Sequence, residues 1–557
     1  MKKKFISYGA ITVIACGLLL ASALSNDTVD ENTKKGDIIY LNKQRATIVG
    51  AEGEAKHSNM FAIYDKSSTG VEHLRFVTAV QGNIDSIKFT MASIGDHNET
   101  EIDVEKVYRG LEVEGKTLYY DGTNITDSST VAGSYYWAVF NIEYKDLSSV
   151  SAEDNVSMSM TINGNESVSL ASSLSSSKLG GGDGSETNPY LIYSQASYDE
   201  YASIAGVTAT EKNFNEKYIS LVTDSVVVTT NNRVENFYGI FNGNQHTLNV
   251  NIDAEGVKYG NGTSIFGVNR SGTIKNLIVD GTIQNSVNNA AGIVGINDGT
   301  LENCVNKASI SFTEGRAGGI TSFTRQNSKV INCFNYGTIS GNSVDDNGST
   351  INNLRGVGGI IGTLQNNSTA ATNIQVEGCM NYGNVHNGYQ TAGGIVGVIL
   401  SNGSKVALTG TLTIDNCKNY GEVSSDSGFV GGIVGTLDNK NIVIQNCYNE
   451  GKISGRYFVG GIAGALGYSS TVSNDKDGTK ISNCENKGEV TATQEHGNGG
   501  YRVGGITGMA YGTEVTGCIS TGKVVGGETE ASGDLGDKTT YIGLFIGYKT
   551  STANFTK

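Results

Sequence analysis

Seven times the chain sets a cysteine and, six positions later, an Ile or Val: Cys304 and Ile310, Cys333 and Ile339, Cys379 and Val385, Cys417 and Val423, Cys447 and Ile453, Cys484 and Val490, Cys518 and Val524. That segment admits no insertion. The stretch from each aliphatic to the next Gly-Gly-Ile, and the stretch from Gly-Gly-Ile to the next cysteine, both vary widely in length. A unit with one rigid corner and two elastic ones is what a three-sided coil of short strands produces, each coil lying on the one before. Coils rise by about 4.8 Å, so roughly nine or ten of them would make a rod about 45 Å long.

The alternation of faces along a strand assigns the recurring residues. Ile293, Ile320, Ile360, Ile395, Ile433, Ile462 and Ile506 form a near-uniform row, with Phe545 in the last copy, and are expected to point inward. Two residues past each cysteine stands Asn306, Asn335, Asn381, Asn419, Asn449 or Asn486, with Ser520 as the exception. Asn tolerates left-handed dihedrals, so this position is expected to be a corner, and amides stacked in register can form a ladder. No Cys-x-x-Cys or Cys-His spacing suggests metal, and Leu277 fills the same slot in an earlier copy. The seven repeat cysteines therefore read as small buried apolar residues of the core.

Composition agrees with folded β structure: 75 glycines against one proline, a charged fraction of 17%, and 38% apolar residues. The expected class is all-β, a parallel β-helix preceded by a second β domain. Residues 36–175 alternate apolar and polar residues between Gly, Asp and Asn turns, as in an immunoglobulin-like β-sandwich, with Trp137 in its core. Residues 176–192 are a Gly/Ser linker and domain entrance, holding Pro189. Residues 193–238 read as an N-terminal cap with one short helix and the first strands, 239–547 as the repeats, and 548–557 as a C-terminal tail.

Residues 1–25 have the grammar of an export signal: three lysines, an apolar run, then small residues. The mature protein is expected to be secreted or at the cell surface, with lipidation at Cys16 as an alternative. The tail lacks a wall-sorting motif, and no later stretch is apolar enough to cross a membrane. A formal net charge of -15 argues against nucleic acid as a partner. The mature chain is expected to be monomeric.

The run VGGIVGTLDNKNIVIQNCYNEGKIS, residues 430–454, resembles the GLUG repeat of bacterial surface proteins, as does the opening GGGDGSETNPYLI. The resemblance covers about 239–547. It implies a right-handed parallel β-helix on secreted or surface proteins that are often adhesin-like and sometimes joined to an immunoglobulin-A-cleaving metallopeptidase. HExxH, the zinc motif of such peptidases, does not occur; HNETE at 97–101 lacks its second histidine.

Enzymatic β-helices carry carboxylates in rows on an outer face. Two residues before the cysteines stand Glu302, Glu377 and Asp415, and only the last two fall on consecutive coils. The Asp-x-Asp-Gly string in 473–482 lacks the closing Glu of a calcium loop, and the acidic loop 526–538 reads as solvated. Tyr336, Tyr382 and Tyr420 follow the Asn on consecutive coils and form an aromatic strip suited to a ligand or to cross-strand stacking. The long loops 340–356, 398–413 and 525–541 are the other recognition candidates. No catalytic residue, metal ligand or cofactor is assigned. The expected function is adhesin-like presentation of loops to an extracellular glycan or protein, with a polysaccharide lyase or hydrolase centred on Glu377 and Asp415, or a structural spacer, as alternatives.

Overall fold

The computed structural model describes the backbone of eight strands between Lys56 and Ser173 and most of the chain from Leu179 to Lys557; the longest gaps in that span are 343–354, 402–410 and 468–478. The export signal, Cys16, HNETE and most of the Asp-x-Asp-Gly string lie outside the described residues, as does the side chain of Trp137, whose backbone belongs to the strand Tyr135–Glu143. The eight N-terminal strands form two antiparallel sheets, one of five strands and one of three, the latter made of Ile87–Ile94, Asn155–Ile162 and Asn165–Ser173.

From Tyr190 onward the pairing is parallel, apart from the short antiparallel hairpin of Val524–Gly526 with Thr529–Glu530, and the chain is a β-helix. One coil serves for all. Leu412–Asp415 is followed by a sharp bend at Asn416, the short strand Lys418–Asn419, then Val423–Ser425, Gly428–Gly431 and Val434–Asp438. The next coil repeats it in register, Leu412 opposite Ile442, Val423 opposite Ile453, Gly431 opposite Gly460 and Val434 opposite Ala463. Each coil thus feeds four sheets, of 12, 18, 10 and 8 strands, the 18-stranded one taking two short strands per coil through the repeats. The expected three sides are present with bends within them, and insertions fall at two junctions: before the Gly-Gly strand, as at 343–354, and after the strand that follows it, as at 402–410 and 468–478.

The core is a column of stacked side chains. The seven Ile of Gly-Gly-Ile and its variant are fully buried and Phe545 nearly so; the seven cysteines are at most 3% exposed. Burying one such Ile contributes about 2 kcal/mol relative to leaving it in water.

The amides of the Cys+2 asparagines also lie inside. Asn306, Asn335, Asn381, Asn419, Asn449 and Asn486 are all 0% exposed, and each Nδ2 donates to the Oδ1 of the next, at 2.8, 2.8, 2.8, 2.8 and 2.7 Å. The second amide hydrogen goes to the carbonyl two residues on, Ala308 in the first copy and Gly337, Gly383, Gly421 and Gly451 in the next four. This corrects one expectation: these asparagines do not adopt the left-handed conformation. That role falls on the residue before the cysteine, Asn303 (φ 53°), Asn332 (49°), Asn416 (50°), Asn446 (54°) and Asn483 (54°), with Gly378 and Gly517 in the remaining copies. A side chain turned into the core cannot also close the corner, so the two jobs are held by two residues.

Across the coil the ladder meets the second glycine of Gly-Gly-Ile. A Cβ at Gly319, Gly359, Gly394, Gly432 or Gly461 would overlap the amide of Asn335, Asn381, Asn419, Asn449 or Asn486 respectively. The asparagine and glycine signatures are therefore two halves of one contact.

The ends are closed by different means. At the N-terminal end the helix Gln195–Ile204, capped by a reciprocal Ser194–Ser197 pair, buries Tyr198 and Tyr201, and Tyr201 meets Phe214 and Phe241 at centroid distances of 5.4 and 5.9 Å. The stack begins within the expected linker, at Tyr190–Ile192, and the expected tail supplies the last strand of the 12-stranded sheet, Asn554–Thr556. At the C-terminal end the segment 533–536 lies along the last coil: Leu544 N–H donates to Gly533 O, Phe545 N–H to Asp534 O and Gly536 N–H to Ile546 O.

Replacing Asn419 by Ala should lower stability by about 3 kcal/mol or more, since a buried carbonyl and two neighbouring amides lose partners costing about 1–3 kcal/mol each. Asn419→Asp should be worse, because one carboxylate oxygen would face the acceptors Asn449 Oδ1 and Gly421 O. Gly432→Ala should also destabilise. Urea unfolding followed by circular dichroism checks all three.

Candidate ligand-binding surface

The outer faces carry four groupings. The first is the tyrosine strip. Register places Tyr336, Tyr382 and Tyr420 one above another, with ring centroids 4.8 and 4.9 Å apart and planes within 8° and 3° of parallel. The spacing is that of the coils. Tyr448, one coil further and two residues nearer its cysteine along the chain, continues the column at 5.9 Å with a 55° tilt. Each of the three rings is partly buried, and Tyr336 and Tyr382 pack on Ile278, Val305, Phe334 and Met380. Rings stacked this way cover one another's faces; the Tyr336 hydroxyl is buried and the Tyr382 hydroxyl donates to Met380 Sδ at 3.3 Å, so the column offers solvent ring edges. Burial pushes the phenols of Tyr382 and Tyr420 above the usual 10.0.

The second grouping is the carboxylate row. Glu377 and Asp415 are direct cross-strand neighbours, as their spacing predicts. Both are engaged by amides: Gln375 Nε2 donates to Glu377 at 2.5 Å, while Gln445 Nε2 and Asn446 Nδ2 donate to the two oxygens of Asp415 at 2.9 Å each. Along the row Ile331 flanks Glu377 and Gln445 flanks Asp415, so neither a base nor a third acid completes the pair. Glycosidic cleavage needs two carboxyls on either side of the sugar, whereas these stand side by side on one sheet. Glu302 lies two coils from Glu377 across Ile331. Among the described residues no three His, Cys, Asp or Glu side chains converge as a metal site.

The third joins residues of two neighbouring coils. His386 Nδ1 lies 2.9 Å from Ser424 Oγ on the next coil, and its Nε2 lies 3.8 Å from Asp426 Oδ2. The residue after the conserved-spacing aliphatic is Ser340, His386, Ser424, Ser454 and Thr491 in successive coils, so aligning that position would have paired them. The carboxylate is beyond hydrogen-bonding reach and the His and Asp side chains are 40% and 70% exposed, unlike the desolvated, tightly oriented base of a nucleophilic triad.

The fourth is a seam of rings and guanidinium groups late in the stack. Phe429 and Phe458 stack at 4.9 Å, Tyr457 stands edge-on to Phe458 at 5.4 Å, and Arg502 lies over Phe458 at 4.8 Å and Tyr548 at 5.2 Å. Phe429, Phe458, Arg502 and Tyr541 occupy one position of four successive coils, and all have left-handed backbone, φ 54–62°.

The corner loops divide. Most of 340–356 and 398–413 lies outside the described residues, whereas 525–541 is the segment that covers the last coil. Within it Asp534 pairs with Lys557 at 3.2 Å and Asp537 accepts from the hydroxyls and amides of Thr539 and Thr540. Near the helix, Asp199, Ala202, Ser203, Thr229, Asn231, Asn232 and Arg233 line an open pocket of about 370 Å³. The cysteines sit inside, each Sγ within 3.2–3.5 Å of the carbonyl two residues earlier, and burial pushes the thiols of Cys333 and Cys417 well above their ordinary range.

No protein-family model matches this chain, and no curated protein does. Among solved structures, one from Bacteroides ovatus described as a "putative immunoglobulin A1 protease" is similar over 67% of this chain and 86% of that one, at 19% identity and a TM-score of 0.32.

Two outcomes follow. The native mature chain should leave all seven repeat thiols unmodified by a water-soluble disulfide reagent, and urea should release them together with loss of the fold. The raised phenol pKa values stabilise the fold fully below pH 10 and lose that contribution as pH climbs past it, so ultraviolet titration should find these tyrosines ionising late and with unfolding.

Proposed function

We propose that this chain is a non-catalytic, adhesin-like protein that works outside the cytoplasm and uses its β-helix as a rigid support for an extracellular glycan or protein ligand. The observation that carries the reading is the in-register column Tyr336, Tyr382 and Tyr420, partly exposed on paired, unyielding strands. Partly exposed aromatic edges held at fixed spacing suit apolar contact with a repeating ligand. The resemblance to GLUG repeats, the N-terminal export signal and the acidic balance agree with this placement. The engagement of Glu377 and Asp415 by amides weighs against the lyase alternative.

The test is a binding screen of the mature chain, residues 26–557, against bacterial and host glycans and matrix proteins, with depolymerised products assayed in the same wells. Saturable binding without new products, weakened about tenfold by Tyr382→Ala, is the expected result. Released oligosaccharides whose yield falls in Glu377→Gln or Asp415→Asn would replace it with an enzyme; binding unaffected by Tyr382→Ala would remove the tyrosine column from the site.

A further inference from the structure

Two guanidinium groups elsewhere in the stack have carboxylate partners, Arg233 with Glu235 at 3.1 Å and Arg325 with both oxygens of Asp298 at 2.6 and 2.9 Å, while Arg270 donates to Asn236 Oδ1 and Arg316 lies over Phe323 at 4.8 Å. The Arg502 side chain has neither a carboxylate nor an amide partner among the described residues. It is partly buried between Phe458 and Tyr548, makes no ion pair among the described residues, and its Nε is buried without an acceptor. A second guanidinium adjoins through the rings: Arg456 lies over Tyr457 at 5.9 Å with Nε donating to Gln494 at 2.8 Å, and it too lacks an acid. Lys549, next to Tyr548, donates only to a backbone carbonyl.

Arg502 and Arg456, neither with an acidic partner among the described residues of a chain of net charge -15, are held on aromatic rings. Ring contact returns about 0.5–2 kcal/mol per cation, which keeps a guanidinium in place without neutralising it. The two terminal nitrogens of Arg502 are shaped for a bidentate oxyanion, the strongest contact a guanidinium makes. Moreover, the left-handed backbone at Phe458 and Arg502 is costly for residues with a Cβ, about 1–3 kcal/mol each, and the Arg502 guanidinium lies over the buried ring of Phe458.

We propose that Arg502 and Arg456, with Tyr457 and Tyr548, form a binding site for the carboxylate or sulfate group of an acidic saccharide, with Arg502 resting on the buried ring of Phe458. A peptide of acidic residues is the competing ligand. Extended peptides add to an open strand edge, but Tyr457–Gly460 and Val503–Gly504 are interior strands, paired on both sides. Recognition here falls to side chains alone, and rings beside a cation suit a sugar ring beside its anionic group. The site lies on a different face and on later coils than the tyrosine column, so it stands or falls separately.

The experiment is calorimetric titration of the full mature chain with four probes: polygalacturonate oligosaccharides, heparin oligosaccharides, maltohexaose and polyglutamate. The expected result is saturable, salt-weakened binding of at least one acidic oligosaccharide, with no response to maltohexaose. Preference for the first or the second identifies the anion as carboxylate or sulfate. Arg502→Gln should weaken that binding at least tenfold, Arg502→Lys by less, and Lys480→Gln, at an exposed cation on another sheet, should leave it unchanged. Should Arg502→Gln fail to fold, Tyr457→Ala carries the test, with the same loss expected. The proposal is overturned if neither acidic oligosaccharide binds, if polyglutamate binds as tightly, or if the folded variants bind like the parent chain.

Discussion

The column of asparagine amides from Asn306 to Asn486 is the constraint on which the rest of the repeat region depends. Each amide is buried, donates upward to the next amide and sideways to a carbonyl of its own coil, so its needs are met only when neighbours are stacked in register. A slip by one residue would leave several buried polar groups unpaired, at about 1–3 kcal/mol each. Hydrophobic burial holds the coils together without fixing their register. The ladder supplies the register, and the glycines opposite supply the room it needs.

Where the chain tolerates insertion follows from this. The segment from cysteine to the aliphatic six residues on contains the ladder asparagine, and the Gly-Gly-Ile turn contains the glycine that faces it. Both are fixed in length because both belong to one contact. The two remaining junctions carry no such pairing and absorb extra residues at 343–354, 402–410 and 468–478. Not every such insertion is free to recognise a ligand: the loop 525–541 closes the open edge of the last coil, a protection that parallel stacks require. The ladder itself ends there, at Ser520, whose buried Oγ has no partner.

The solenoid and its inward rows could be read from spacing because a stacked fold writes each structural position into the chain many times. Ile433 and Cys417 are recognisable as interior from their copies alone. Other features are not legible in the spacing. The left-handed residue was placed two positions past the cysteine instead of one before it, since both columns are rich in Asn and only coordinates separate a side chain that points inward from one that closes a bend. The first strand, Tyr190–Ile192, was hidden by the glycines beside it, and the last, Asn554–Thr556, by its polar sequence. On the surface, the Tyr336, Tyr382 and Tyr420 column was legible because it repeats. The Arg502 seam was not, since its rings come from strands that meet only across coils and its arginine occupies a slot filled by Phe429 and Phe458 in the preceding copies.

Side-chain amide exchange measured by nuclear magnetic resonance on protein carrying nitrogen-labelled asparagine tests the central claim most directly. If the ladder sets the register, the Nδ2 hydrogens of Asn335, Asn381, Asn419 and Asn449 will exchange as slowly as the backbone amides of the flanking strands, and all four will be released together when the stack opens. Exchange as fast as that of exposed asparagines, with the strands still protected, would mean that the coils keep their register without it.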